Sequence, residues 1–140
     1  SLQQAADAMW IMSSSFGPHT AQQWLELSRH MVRTLPDGGL AMHYDPAIAQ
    51  AFKAMTPEVS AASAMQLWQL YDRIHARTLL LRGAQSDLLS PETAQAMVHR
   101  GPMAKLVEFE GVGHAPTLMA QDQVQVVSEF LLAPEATVAA

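Results

Sequence analysis

Apolar positions along the chain follow two rhythms. In roughly the first half they recur at the spacing of helices; at residues 78–81 the pattern changes to a short continuous run. Leu2, Ala5, Met9 and Met12 predict a first helix. Ser13-Ser14-Ser15-Phe16-Gly17-Pro18 breaks it. Thr20 then fits an N-cap with Gln23 three residues on, a pairing in which each side chain satisfies an otherwise orphan backbone N–H. Trp24, Leu27, Met31 and Leu35 give the second helix one apolar face, so residues 1–35 read as two helices. Leu35-Pro36-Asp37-Gly38-Gly39 is a turn. Residues 40–57 read as irregular, with one short helix over 47–55. Thr56-Pro57-Glu58 starts another helix, with a capping hydroxyl, proline at the first helical position and an acid in the first turn. Its stripe of Ala64, Leu67, Tyr71 and Ile74, widened by Met65 and Trp68, predicts a helix clamped between layers.

Residues 78–81 are apolar without polar alternation, which suits a strand buried on both faces of a parallel sheet. Ser90-Pro91-Glu92 caps a helix whose Ala94 and Met97 or Val98 face inward, and Arg100-Gly101-Pro102 ends it. A second strand spans 105–110, and a last helix, about 121–132, is expected to bury Val124, Val127, Phe130 and Leu131. Residues 134–140 are expected to fray. Strand, helix, strand, helix implies two parallel strands joined by a crossover. The expected fold class is therefore α/β, with the helical half giving way to the βαβα half around residues 72–77.

Composition narrows the function classes. With 140 residues, 49% of them hydrophobic and 15% charged, the chain fits one globular domain. A net charge of −5, and lysines only at Lys53 and Lys105, argue against a nucleic-acid partner. The absence of cysteine rules out disulfides and thiolate metal sites and is compatible with a cytoplasmic location. No apolar run approaches the roughly 20 residues of a membrane-spanning helix. The six histidines show no metal-ligand spacing, so neither metal nor cofactor is expected. Ser1-Leu2-Gln3-Gln4 reads as the inside of a helix, which suggests a fragment of a longer protein.

Two polar residues stand where parallel sheets place their chemistry, in loops at the carboxyl ends of strands. Asp87 follows the first strand, and His114 follows the second within Gly111-Val112-Gly113-His114-Ala115-Pro116. If they meet, the carboxylate fixes the imidazole tautomer and stabilises the imidazolium formed when the other nitrogen takes a proton. Each also has a plainer reading: Asp87 as an acid capping the helix at Ser90-Pro91, and His114 as a loop histidine between glycines and proline. Leu88 either faces a substrate pocket or packs on the next helix. Met9, Trp10, Met12, Phe16 and Trp24 either line an acyl pocket or, as helical spacing favours, form helix–helix core.

Taken together, Leu81-Arg82-Gly83-Ala84-Gln85-Ser86-Asp87-Leu88-Leu89-Ser90-Pro91 and the Gly111–Pro116 turn resemble the C-terminal part of an α/β-hydrolase. The helix with Leu67-Trp68 and Tyr71, running into residues 78–81, fits the same frame. The resemblance implies a lid-like helical segment over 1–57 and, over 58–140, the last two strands and helices of the core. It implies Asp87 as the acid and His114 as the base of a nucleophile–His–Asp triad acting on a small-molecule carboxylic ester or related acyl substrate.

The nucleophile elbow of that family, G-x-S-x-G between a strand and a helix, is absent. Ser13-Ser14-Ser15-Phe16-Gly17 lacks its first glycine and its strand, and reads as a helix-to-helix turn. The glycine-containing oxyanion loop is absent as well. The chain alone is therefore expected to be inactive. The alternatives are a binding or scaffold module, or a dehalogenase, epoxide hydrolase or C–C hydrolase on the same frame. A two-stranded parallel sheet is marginal by itself, so self-association through its exposed edge is expected.

Overall fold

The computed structural model describes residues 1–53 and 55–134; beyond Pro134, the tail expected to fray lies outside the described residues. Helices α1 (Leu2–Ser13) and α2 (Ala21–Met31) are joined by a 3-10 turn at Ser14–Phe16, the expected helix-to-helix break. Thr20 and Gln23 cap α2 reciprocally, as their spacing predicts. The two helices close a small core of Ala6, Met9 and Trp24. The Trp24 indole N–H donates to the Ala6 carbonyl at 2.8 Å, so the largest buried side chain in this core is satisfied as well as packed. Met12, on the predicted apolar face, is instead 77% exposed, and Ala6 takes the buried place.

The hairpin that follows differs from expectation. The apolar spacing places Leu35 on the face of α2, but the helix stops at Met31; β1 (Val32–Thr34) pairs antiparallel with β2 (Leu40–Met42). The turn between them is tied by Leu35 N–H to the Gly39 carbonyl (2.8 Å) and by Gly39 N–H to Asp37 Oδ1 (2.9 Å). Each strand has three residues, too short to show an alternating pattern. Helix α3 spans Ile48–Lys53.

Helix α4 (Pro57–Tyr71) begins as its cap predicts, with the Thr56 hydroxyl accepting from Val59 N–H. It is not clamped between layers: none of its residues is buried among those described. Leu67 and Met65 remain 65% and 67% exposed. Its C-terminal end is anchored. Tyr71 donates to the Met97 carbonyl at 2.9 Å, and the Arg100 guanidinium lies 4.3 Å above the Trp68 ring while pairing with Asp72.

Strands β3 (Leu79–Gly83) and β4 (Lys105–Phe109) are parallel and in register from Leu79 opposite Lys105 to Gly83 opposite Phe109. Helix α5 (Pro91–Val98) joins them, capped by the Ser90 hydroxyl and burying Ala94. Gly101 ends that segment with a φ of +55°, a left-handed conformation that glycine adopts at no steric cost. In the last helix, α6 (Gln121–Leu132), Val127 and Phe130 are partly buried, but Val124 and Leu131 are 46% and 69% exposed. The residue it buries is Gln123, whose side chain accepts from Leu118 N–H. Gln123 thus shares the inward face with Val127 and Phe130 and ties the start of the helix to the preceding loop.

Candidate active site

The carboxyl ends of β3 and β4 lie side by side, and the loops leaving them are bonded to each other. Ala84 N–H donates to the Phe109 carbonyl and Gln85 N–H to the Val112 carbonyl, both at 2.9 Å. Gly83 makes this approach possible. A Cβ there would lie 2.0 Å from the Gly113 carbonyl oxygen and 2.3 Å from that of Val112. Glycine at the strand end therefore lets the His114 turn press directly against β3.

Asp87 occupies the loop after β3 and is exposed. That loop is closed by Ser86 N–H to the Gly83 carbonyl (2.9 Å) and Leu89 N–H to the Ser86 hydroxyl (3.1 Å). Leu88, next to the acid, is 74% exposed. His114, also exposed, follows a buried Val112 and the Gly111 turn, whose φ is +72°. The structure thus sets the two loops against each other. It joins neither side chain to the other: among the described residues Asp87 and His114 share no hydrogen bond or ion pair.

The helical half reaches this turn directly, which local sequence patterns did not disclose. Gly113 N–H donates to the Ser15 carbonyl at 2.5 Å. His19 spans the gap between the halves, with Nδ1 2.8 Å from the Gly17 carbonyl and Nε2 2.8 Å from Thr117 Oγ1. A carbonyl only accepts, so Nδ1 carries the proton; in the neutral ring Nε2 then accepts from the Thr117 hydroxyl. Gln23 Nε2 adds a long contact to the Met119 carbonyl (3.5 Å). A cavity of about 100 Å³ lined by Phe16, His19, Phe109 and Thr117 lies in the same seam. Neither residue belongs to a motif, and 98 positions separate them in the sequence.

Polar groups around the loops set local electrostatics. The Glu92 carboxyl, in the first turn of α5, is held below the usual carboxylate range by its own backbone N–H and by the Ser90 hydroxyl. Among the described residues no three His, Asp or Glu side chains gather as a metal-ligand set, and no helix is long and apolar enough to cross a membrane.

Two parallel strands with an acid loop and a histidine turn at their carboxyl ends define an α/β class of protein. Comparison with known proteins makes this specific. The chain is 42% identical over 122 residues to the 3-hydroxybutyrate-oligomer hydrolase of Cupriavidus necator, a match covering 85% of this chain and 42% of that protein. It is similar to a crystal structure of an α/β-hydrolase from Novosphingobium aromaticivorans, with a TM-score of 0.73 and 33% identity, over 94% of this chain and 45% of that one. A Rickettsia typhi structure gives a TM-score of 0.73 at 25% identity, over 94% of this chain and 42% of that one. No family model matches the chain. The chain has a partial α/β-hydrolase fold. It spans less than half the length of each of these relatives.

Proposed function

We propose that these residues are the C-terminal part of a hydrolase that cleaves carboxylic esters through a nucleophile–His114–Asp87 triad. His114 takes the proton of a serine that lies outside this chain, and Asp87 orients the ring and stabilises the imidazolium. The observation that carries this reading is the Gln85–Val112 hydrogen bond with the Gly83–Gly113 contact, which brings the acid loop and the histidine turn together at one end of the sheet. The likeness to a 3-hydroxybutyrate-oligomer hydrolase supports a short ester-linked hydroxyacid as substrate. Residues 1–57 act as the lid and Leu88 faces the substrate. The His19–Thr117 and Ser15–Gly113 bonds support the lid role, because they join the helical half to the histidine turn. The chain alone supplies acid and base without nucleophile or oxyanion donors, and is inactive.

The test is kinetic. In the longer protein, His114→Ala lowers kcat on a 3-hydroxybutyrate dimer by roughly 10⁴-fold or more, and Asp87→Asn by a comparable factor. Losses under about tenfold for both variants would remove the triad assignment.

A further inference from the structure

The Asp87 loop is gripped by a buried group that the acid–base chemistry does not itself use. Arg82, one residue before the end of β3, is 3% exposed. Its Nε donates to the Leu89 carbonyl at 2.7 Å. Its Nη1 donates to the Ala84 carbonyl at 3.3 Å and to Glu108 Oε1 on β4 at 2.5 Å. One guanidinium therefore holds both ends of the loop from Ala84 to Leu89, with Asp87 between them, and ties that loop to the strand preceding the His114 turn.

A buried cation is costly unless its donors are satisfied, and an apolar residue of similar volume would serve a strand at lower cost. A bond to β4 alone would need only Glu108. Two of the three bonds go instead to loop carbonyls. They use the planar, many-donor fork that distinguishes arginine from the compact ammonium of lysine. We propose that Arg82 is a positioning residue for Asp87: it fixes the shape of the acid loop and, through Glu108, its placement relative to the His114 turn. This rests on the reading of Asp87 and His114 as acid and base.

The experiment uses the 140-residue chain, with residue-resolved hydrogen exchange and an NMR titration of the His114 ring. Arg82→Met is expected to speed exchange of the Gln85 and Leu89 amides by about tenfold relative to amides within β4. It is also expected to move the His114 midpoint in the same direction as Asp87→Asn. Arg82→Lys keeps the charge beside Glu108 and serves if the Met variant does not fold; it is expected to leave the loop amides fast. Full protection of the loop in the Lys variant overturns the proposal. So does exchange that rises equally along both strands, which would mark a merely structural residue. A His114 midpoint that moves with Asp87→Asn but not with either Arg82 variant overturns it too. If Asp87→Asn leaves the midpoint in place, the acid–base reading fails, and the loop amides alone decide whether Arg82 sets the loop.

Discussion

The two halves of the chain carry equally clear apolar stripes and treat them differently. In the helical half, α1 and α2 face each other and bury Ala6, Met9 and Trp24. From residue 57 on, α4 carries apolar residues at the same spacing and buries none of them among the described residues, leaving Leu67 and Leu70 at 65% and 60% exposure; Ile74, expected on the same stripe, lies beyond the helix's end at Tyr71 and is 39% exposed. A groove of about 680 Å³ runs along it, lined by Leu67, Trp68, Tyr71, Ile74, Thr93 and Met97. Periodicity specifies which face of a helix is apolar; only a second layer turns that face into core. The first half contains its second layer. The βαβα half, with β3 paired only to β4 among the described residues, is built as part of a wider sheet.

Trp24→Ala is expected to have the largest effect. It removes the centre of the self-contained core and the indole donor to the Ala6 carbonyl. A loss of about 3–5 kcal/mol is expected for the helical half in urea denaturation. Gly83→Ala follows. Its Cβ meets the backbone of Val112 and Gly113, and backbone cannot yield as a side-chain tip does. It should cost about 1–3 kcal/mol and separate the two loops, seen as shifted amide resonances of Gln85 and Gly113.

Leu67→Ala is expected to do little. Because Leu67 is already in solvent, the expected change in monomer stability is under about 0.5 kcal/mol. Light scattering of the unmodified chain should report species larger than a monomer, since an uncovered strand edge and apolar helix face favour association. A clean monomer mass across dilution would contradict this.

The smallest effect is on pH dependence. The Arg100 hydrogen bond to Asp72 holds that carboxyl below its ordinary value. Folding then favours the ionised form. The stabilisation is complete above the unfolded-state value near pH 4 and is lost as pH falls through the lower folded value. Asp72→Asn should flatten the acid limb of the stability curve slightly, as read from thermal unfolding at stepped pH.

Much of the frame is legible in local chemistry. The caps at Thr20, Thr56 and Ser90 and the left-handed Gly101 act within a few residues, so sequence spacing displays them. The β3–α5–β4 order follows from the unbroken apolar run at residues 79–81 and the short segment around Leu106, Val107 and Phe109, separated by a capped helix. The β1–β2 hairpin escapes because three-residue strands carry no period, and Leu35 happens to fall four residues after Met31. The bond from His19 to Thr117 joins residues 98 apart, beyond any local rule. Arg82 and Gln123 are polar groups inside the fold, so patterning alone assigns them to the surface. Of the candidate site, the loops bearing Asp87 and His114 are visible as motifs; what grips them is not.

Asp87 and His114 are proposed as the acid and the base of an ester-cleaving site whose nucleophile is not among these residues. The direct measurement is hydrolysis of a short-chain ester by the 140-residue chain alone, beside its His114→Ala variant. Neither is expected to exceed the background rate. Hydrolysis by the unmodified chain that His114→Ala abolishes would contradict it, because the nucleophile would then have to lie within these residues.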